Sequence, residues 1–118
     1  MTVLVGYLPT DEGNAALAAA VDETRRRSTK LLVMVDEAPG AADALRERLT
    51  GEDVDLDVIS TRQTVSPAEQ LLALAEQHQP DLLVIGLRRR TPVGKLILGS
   101  NAQQILLEAR CPVLAVKA

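Results

Sequence analysis

The chain has 118 residues, of which 47% are hydrophobic and 25% are charged, as in ordinary globular domains rather than disordered or fibrous chains. Its formal net charge is -3, so no overall positive field attracts DNA, RNA or an anionic membrane, and we expect none of them as partners. A single tyrosine is the whole aromatic content, which leaves no platform for stacking single-stranded nucleic acid.

The first half of the chain predicts three strands separated by two helices. Short apolar runs at residues 2–8 and 30–35 predict the first two strands. Residues 54–59 alternate apolar with acidic side chains, which is typical of an edge strand with one face in water. Between the strands, apolar residues recur at helical spacing at Leu17, Ala20, Val21 and Thr24, and again at Ala41, Leu45 and Leu49 before a stop at Gly51.

The second half predicts two more helices and two more strands. Ser66 and Glu69 have capping-box spacing, with Pro67 at the first helical position, so a helix should begin there. Residues 81–86 are almost continuously apolar, as expected of a strand covered on both faces. The apolar run at residues 112–117 predicts a fifth strand. The last helix is marked by Ala102, Ile105, Leu106 and Ala109.

This alternation predicts one α/β domain over residues 1–118, built on a doubly wound parallel sheet of five strands. Continuous apolarity places strands one, two and four in the centre, while Asp55, Asp57 and Lys117 suit the edges, so the expected order is 3-2-1-4-5 with helices on both faces. The winding direction then reverses between strands one and four. Ligands of such sheets bind beyond the carboxyl ends of the strands at that reversal, where the loop after strand four emerges.

The loop after strand four reads GLRRRTPVGKLILGSN and carries the chemistry of an anion site. Gly99, Ser100 and Asn101 open the last helix, where backbone N–H groups and a hydroxyl favour phosphate. The guanidinium groups of residues 88–90 match the geometry of a phosphate. Three consecutive arginines would also be expected if this segment were only a charged surface in water, or a patch that binds another protein. The spacing fits neither a P-loop nor a G-x-G-x-x-G motif.

From Gly86 onward the sequence resembles the G-x2-G-x9-G-[ST] signature of the universal stress protein family. Gly86, Gly99 and Ser100 match it, and Arg89 stands where the second glycine belongs. The stretches SPAEQLLALAEQHQPDLLVIG and LLEARCPVLAVK around it are similar too. The resemblance implies a Rossmann-like, adenine nucleotide alpha hydrolase-like fold with ATP at the reversal point. Together, the resemblance and the anion chemistry of the loop point to Gly86, Arg88, Arg89, Gly99, Ser100 and Asn101 for nucleotide binding.

Two positions depart from the pattern of nucleotide-binding members. The family's aspartate after strand one, which contacts adenine, corresponds here to Leu8. If the second glycine needs a positive φ, Arg89 costs about 1 to 2 kcal/mol there, and its side chain either fills the phosphate volume or binds phosphate from outside the loop. The sequence leaves both outcomes open.

The resemblance implies a stress-response regulator or sensor that binds ATP or a similar adenine nucleotide. The alternative is a nucleotide-independent interaction protein of the same fold. In either case we expect a homodimer through the C-terminal strand, whose short apolar edge needs partners. Without a general base in the loop or a dedicated metal cage, we expect no enzyme beyond a weak ATPase, no catalytic residues and no metal requirement.

Asp36, Tyr7 and Cys111 are three further residues with possible roles in ligand binding or redox sensing. Asp36, just past strand two, lies on the crevice side of the sheet and could contact a ribose or a magnesium ion. Tyr7 suits a packed ring with a bonded hydroxyl, with adenine stacking as the alternative. Cys111 is the only cysteine, and it suits a small packed side chain, with redox sensing as the alternative. With no leader and no long apolar run, a cytoplasmic protein is expected.

Overall fold

The computed structural model describes residues 1–36, 38–61, 66–88 and 99–118. Five strands and four α-helices alternate along them, with one 3-10 turn at Thr50–Glu52. The strands are β1 (Thr2–Gly6), β2 (Lys30–Asp36), β3 (Asp55–Thr61), β4 (Leu82–Leu87) and β5 (Val113–Lys117). The helices are α1 (Asp11–Arg27), α2 (Ala41–Arg48), α3 (Pro67–His78) and α4 (Ser100–Glu108).

The five strands form one parallel sheet in the order β3-β2-β1-β4-β5. The predicted strand order and edge positions are therefore confirmed. In the register of the sheet, Gly6 at the end of β1 lies beside Met34 of β2, and Leu83 of β4 lies beside Val113 of β5. Because every strand runs the same way, all carboxyl ends lie along one rim of the sheet.

The helices cover the sheet on both faces, as predicted. Side chains alternate between faces along each strand, so Leu4 and Leu83 pack under α3 and α4, while Val3 and Val84 pack under α1 and α2. Leu4, a residue of β1, is fully buried, as expected for a central strand. In α4, Ile105 is buried but Leu106 is 40% exposed, so Leu106 belongs to the rim of that helix rather than to the core.

The helix ends follow the capping chemistry of the sequence. The Thr10 hydroxyl accepts a hydrogen bond from the Gly13 N–H at 3.1 Å, and the Ser66 hydroxyl accepts one from the Glu69 N–H at 3.2 Å. Each bond satisfies a backbone donor that has no partner within its helix. Arg25 lies in the last turn of α1, where its charge complements the helix dipole.

One face of the edge strand β3 is exposed to solvent, as the alternation of apolar and acidic residues predicted. Asp55 and Asp57 are exposed, and Lys30 of β2 pairs with Asp57 at 2.6 Å between Nζ and Oδ2. Hydrogen bonding to that ammonium lowers the pKa of Asp57, and the carboxylate in turn raises the pKa of Lys30. Both side chains are open to water, which screens the pair, so its contribution to stability is small.

None of the helices within residues 1–36, 38–61, 66–88 and 99–118 is both long and apolar enough to cross a bilayer.

Gly13 lets the first turn of α1 pack directly against the preceding turn. A Cβ atom at this position would overlap the carbonyl oxygen of Leu8, which is backbone and cannot swing away. We therefore expect Gly13→Ala to lower the free energy of unfolding by about 1 to 3 kcal/mol. Gly51→Ala is the matched control, because nothing lies within 4 Å of the added methyl group. Urea denaturation of both variants checks this, and equal stabilities would contradict the packing described.

Candidate functional site

A crevice of about 130 Å³ opens on the rim of the sheet where the carboxyl ends of β1 and β4 lie side by side. The helix that follows β1, α1, packs on one face of the sheet, and the helix that follows β4, α4, packs on the other, so the winding direction reverses between these two strands. The crevice is therefore at the predicted place. Its lining includes Gly6, Leu8, Glu12, Met34, Asp36, Leu71, Ile85, Gly86, Asn101 and Ile105.

Gly86, at the end of β4, forms one wall of the crevice by close backbone packing. A Cβ atom there would overlap the carbonyl oxygen of Glu12 in the first turn of α1. The first glycine of the signature thus brings the start of α1 against the end of β4. This contact is a packing role for Gly86 that the sequence did not reveal, because it joins residues more than 70 positions apart.

The N-terminus of α4 has the helix-start chemistry that suits an anion. Gly99 is the N-cap and makes no side-chain capping bond, and the first turn of α4 contains no acidic residue. Ser100 and Asn101 are exposed, and Asn101 lines the crevice. Backbone N–H groups without helical partners carry partial positive charge here.

The N-terminus of α1 also faces the crevice, but it is already neutralised. Thr10 caps it, and Asp11 and Glu12 occupy its first turn. Their carboxylates complement the dipole of α1 and repel a second anion.

The start of α3 also borders the crevice through Pro67 and Ala68, but Ser66 caps it and Glu69 lies in its first turn. Of the three helix starts at the crevice, α4 is therefore the one suited to a phosphate.

The floor of the crevice is apolar. Met34, Leu71 and Ile85 are buried beneath it, and Leu8 lies at its rim with 42% of its surface exposed. An apolar floor beside a few polar groups is typical of pockets that hold a flat ring and orient it.

Asp36 closes the crevice on the side away from α4. It is the last residue of β2 and shares a strand face with Met34, two positions earlier, which packs in the core beneath α3 and α4. The sequence placed Asp36 on this side, and the structure confirms that position. Leu8 and Asp36 both line the crevice.

The predicted site residues are only partly brought together. Gly86 and Asn101 line the crevice, and Gly99 and Ser100 begin α4 beside it. Arg88 is exposed immediately after β4 and is not part of the described lining. The prediction for Arg89 falls outside the described residues.

Tyr7 borders the crevice, but it packs against the core beneath α1 and α2, and its hydroxyl is bonded. Its hydroxyl donates to Asn14 Oδ1 at 3.1 Å and accepts from Arg48 at 3.0 Å, and the Arg48 guanidinium lies 5.9 Å from the ring centre. Arg48 also donates to Asn14 Oδ1 at 2.7 Å. The prediction of a packed ring with a bonded hydroxyl is confirmed. The role of Arg48 was missed, since no local pattern links residues 7, 14 and 48.

Comparison with known proteins identifies the family. A model of the universal stress protein family matches residues 34–117. The chain belongs to the universal stress protein family. A universal stress protein of Mycolicibacterium smegmatis is 41% identical over 125 residues, which cover 98% of this chain and 96% of that protein.

Solved structures of universal stress proteins share the fold. A universal stress protein of Archaeoglobus fulgidus, solved in complex with dAMP, superposes with a TM-score of 0.78 at 19% identity, covering 99% of this chain and 98% of that one. Another universal stress protein, solved in complex with cAMP, gives a TM-score of 0.75 at 24% identity, covering 99% and 96%. At these identities the likeness concerns the architecture.

A second hollow lies at the opposite rim of this universal stress protein. It has a volume of about 460 Å³ and is bordered by Leu72, Pro80 and Cys111, between the ends of α3 and α4. Burial raises the pKa of the Cys111 thiol, so the thiolate is scarcer than in a free cysteine at neutral pH. This favours the packed side chain over a redox sensor.

Among the described residues, no three His, Cys, Asp or Glu side chains lie close enough together to hold a metal ion.

The raised pKa of Cys111 predicts slow alkylation. The rate of reaction with iodoacetamide should rise with pH through a midpoint that is higher in the folded protein than in the same chain in urea, because folding disfavours the thiolate. Mass spectrometry of timed samples measures both rates. A folded-state midpoint at or below the unfolded one would contradict the burial argument and revive redox sensing.

Proposed function

We propose that this universal stress protein binds an adenine nucleotide, ATP or a similar molecule, in the crevice between the ends of β1 and β4, and acts as a stress-response regulator or sensor. The observation that carries the proposal is the arrangement of the crevice itself. The floor of the crevice is apolar, and the start of α4, with Ser100 and Asn101, lies beside it. This helix start has no side-chain cap and no acidic residue in its first turn.

The energetics of that arrangement suit a modest affinity. Hydrogen bonds from N–H or hydroxyl donors to a charged phosphate contribute about 1.5 to 3 kcal/mol each. Three or four such bonds support micromolar binding, about 8 kcal/mol, after the cost of association. The volume of about 130 Å³ is small for a ligand pocket, so we expect the base to enter it and the phosphates to lie at its mouth.

Two relatives of known structure add support. The universal stress proteins solved with dAMP and with cAMP have this chain's fold, and both ligands are adenine nucleotides. Fold likeness alone does not transfer a ligand, so the geometry of this chain's own crevice carries the assignment.

We propose binding without rapid turnover, with weak ATP hydrolysis at most and no metal requirement. The charged side chains in the described lining are the carboxylates of Glu12 and Asp36. Carboxylates repel the charge that develops on a phosphoryl group in transfer, whereas catalysts of that reaction surround it with cations. The described part of the crevice therefore favours holding a nucleotide over cleaving it.

A nucleotide should stabilise the folded chain. At 100 times its dissociation constant, AMP or ATP adds about 2.7 kcal/mol by linkage, which raises the melting temperature by roughly 10 °C for a domain of this size. Differential scanning fluorimetry with millimolar nucleotide measures the shift. The absence of any shift at millimolar AMP and ATP would rule the proposal out.

Asn101→Asp tests where the phosphate lies. The substitution is isosteric and places a carboxylate in the first turn of α4, which stabilises that helix but repels an anion. We expect AMP binding to weaken about tenfold or more in calorimetry while the fold is retained. Gln77→Glu, exposed near the far end of α3, adds the same charge away from the crevice and should bind normally. Equal affinities of the two variants would contradict the assignment.

The free edge of β5 favours a second candidate, a nucleotide-independent dimeric interaction protein. β5 pairs with β4 on one side, and no described strand lies on the other. Val113 and Ala115 are only half-buried, so the edge presents apolar side chains with its backbone groups. Exposed edges of this kind pair readily with another chain.

Ala115→Pro tests pairing through β5 without breaking the sheet. The Pro112 carbonyl accepts from Leu83 N–H of β4 at 2.9 Å, so by alternation the Ala115 N–H points away from β4. Proline is tolerated at such outward positions, where it blocks a partner strand. By light scattering we expect twice 12.6 kDa for the unaltered chain and 12.6 kDa for the variant.

Val116→Pro is the contrasting variant, since its N–H points toward β4, and it should lower stability instead. A folded Ala115→Pro variant that remains dimeric would exclude this interface.

A further inference from the structure

The crevice has two chemically opposite ends. At one end the start of α4 offers N–H groups and, in its first turn, no carboxylate. At the other end the β2 strand finishes with the carboxylate of Asp36. Gly86 of β4 and Asp36 are two strand positions apart in the sheet, which is about 10 Å at the usual spacing between strands.

The Asp36 carboxylate is available to a ligand. It is half-buried, and the hydrogen bonds and ion pairs found among the described residues do not include its side chain. The side chain of Leu8, which also lines the crevice, offers no donor, and Met34 on the same strand face is apolar. An ionised carboxylate accepts hydrogen bonds and donates none, and a half-buried one is stabilised by any donor that a ligand brings.

The charges decide which end of a nucleotide lies beside Asp36. Its negative charge repels phosphate, whereas the dipole of α4 attracts it. A nucleotide in the crevice would therefore place its phosphate at the start of α4 and its base at Asp36, near Leu8 and Met34 of the lining. The group on the base that meets the carboxylate must then be a hydrogen-bond donor.

We propose that Asp36 is the base-selecting residue of the crevice, accepting a hydrogen bond from the exocyclic amino group of adenine. This inference rests on the proposed function, that an adenine nucleotide occupies the crevice. The amino group is the donor at the distal edge of adenine. In hypoxanthine a carbonyl oxygen takes its place and the donor moves to N1, with the ring shape unchanged, so that at the position of the amino group an acceptor meets an acceptor.

The test compares AMP with IMP by isothermal titration calorimetry. The unaltered chain should bind AMP at least tenfold more tightly than IMP, because an unmatched carboxylate is left against the IMP carbonyl. In Asp36→Asn the amide can donate to that carbonyl, so the preference should fall to about twofold or reverse. Asp55→Asn, an exposed carboxylate on β3 outside the crevice, should keep the full preference.

Each other outcome overturns the inference in a recognisable way. Equal binding of AMP and IMP by the unaltered chain leaves the proposed function standing and removes the role of Asp36. A changed ratio of AMP to dAMP in Asp36→Asn, with the AMP preference over IMP intact, assigns the carboxylate to the ribose instead. Tighter binding of GMP than AMP excludes adenine as the selected base. Failure of the unaltered chain to bind AMP at all removes the proposed function and the inference together.

Discussion

The reversal of winding direction between β1 and β4 is the constraint on which the rest of the structure depends. Both strands are parallel, and the helices that follow them, α1 and α4, pack on opposite faces of the sheet, so the described residues leave a crevice between the two strand ends. Close backbone packing then shapes the opening. Because glycine has no Cβ atom, the Glu12 carbonyl can pack against Gly86 and the Leu8 carbonyl against Gly13. The crevice follows from chain direction and two glycines before any binding side chain is considered.

Polar and charged groups are distributed unequally around that opening, so the two ends of the crevice favour different parts of a ligand. Three helices, α1, α3 and α4, begin beside it, and the charges around their first turns differ. α1 is capped by Thr10 and carries acids in its first turn, whereas the start of α4 has neither a side-chain cap nor an acid. Asp36 adds a carboxylate at the side of β2. An elongated ligand with one anionic end and one donor-bearing end matches this arrangement in a single orientation.

The architecture could be predicted from sequence because it follows from local patterns. Continuous apolar runs identify the central strands, and the alternating acids of β3 identify an edge, which together determine the strand order. The crevice position of Asp36 follows from the same strand order. The helix start at Ser100 follows from the local sequence, Gly99, Ser100 and Asn101, and from the helical spacing of the apolar residues after it. The Gly86–Glu12 contact and the Arg48 bond to Tyr7 could not be predicted, because they depend on how distant segments pack. The prediction for Arg89 lies beyond the described residues.

The most direct measurement of the central claim is an amide chemical-shift titration of ¹⁵N-labelled protein with AMP. If the nucleotide lies in the crevice with its phosphate at α4, the largest shifts should fall on Ser100 and Asn101 and on the ends of β1 and β2 around Leu8 and Asp36. Shifts confined to the opposite rim around Cys111, or none at saturating AMP, would contradict the account.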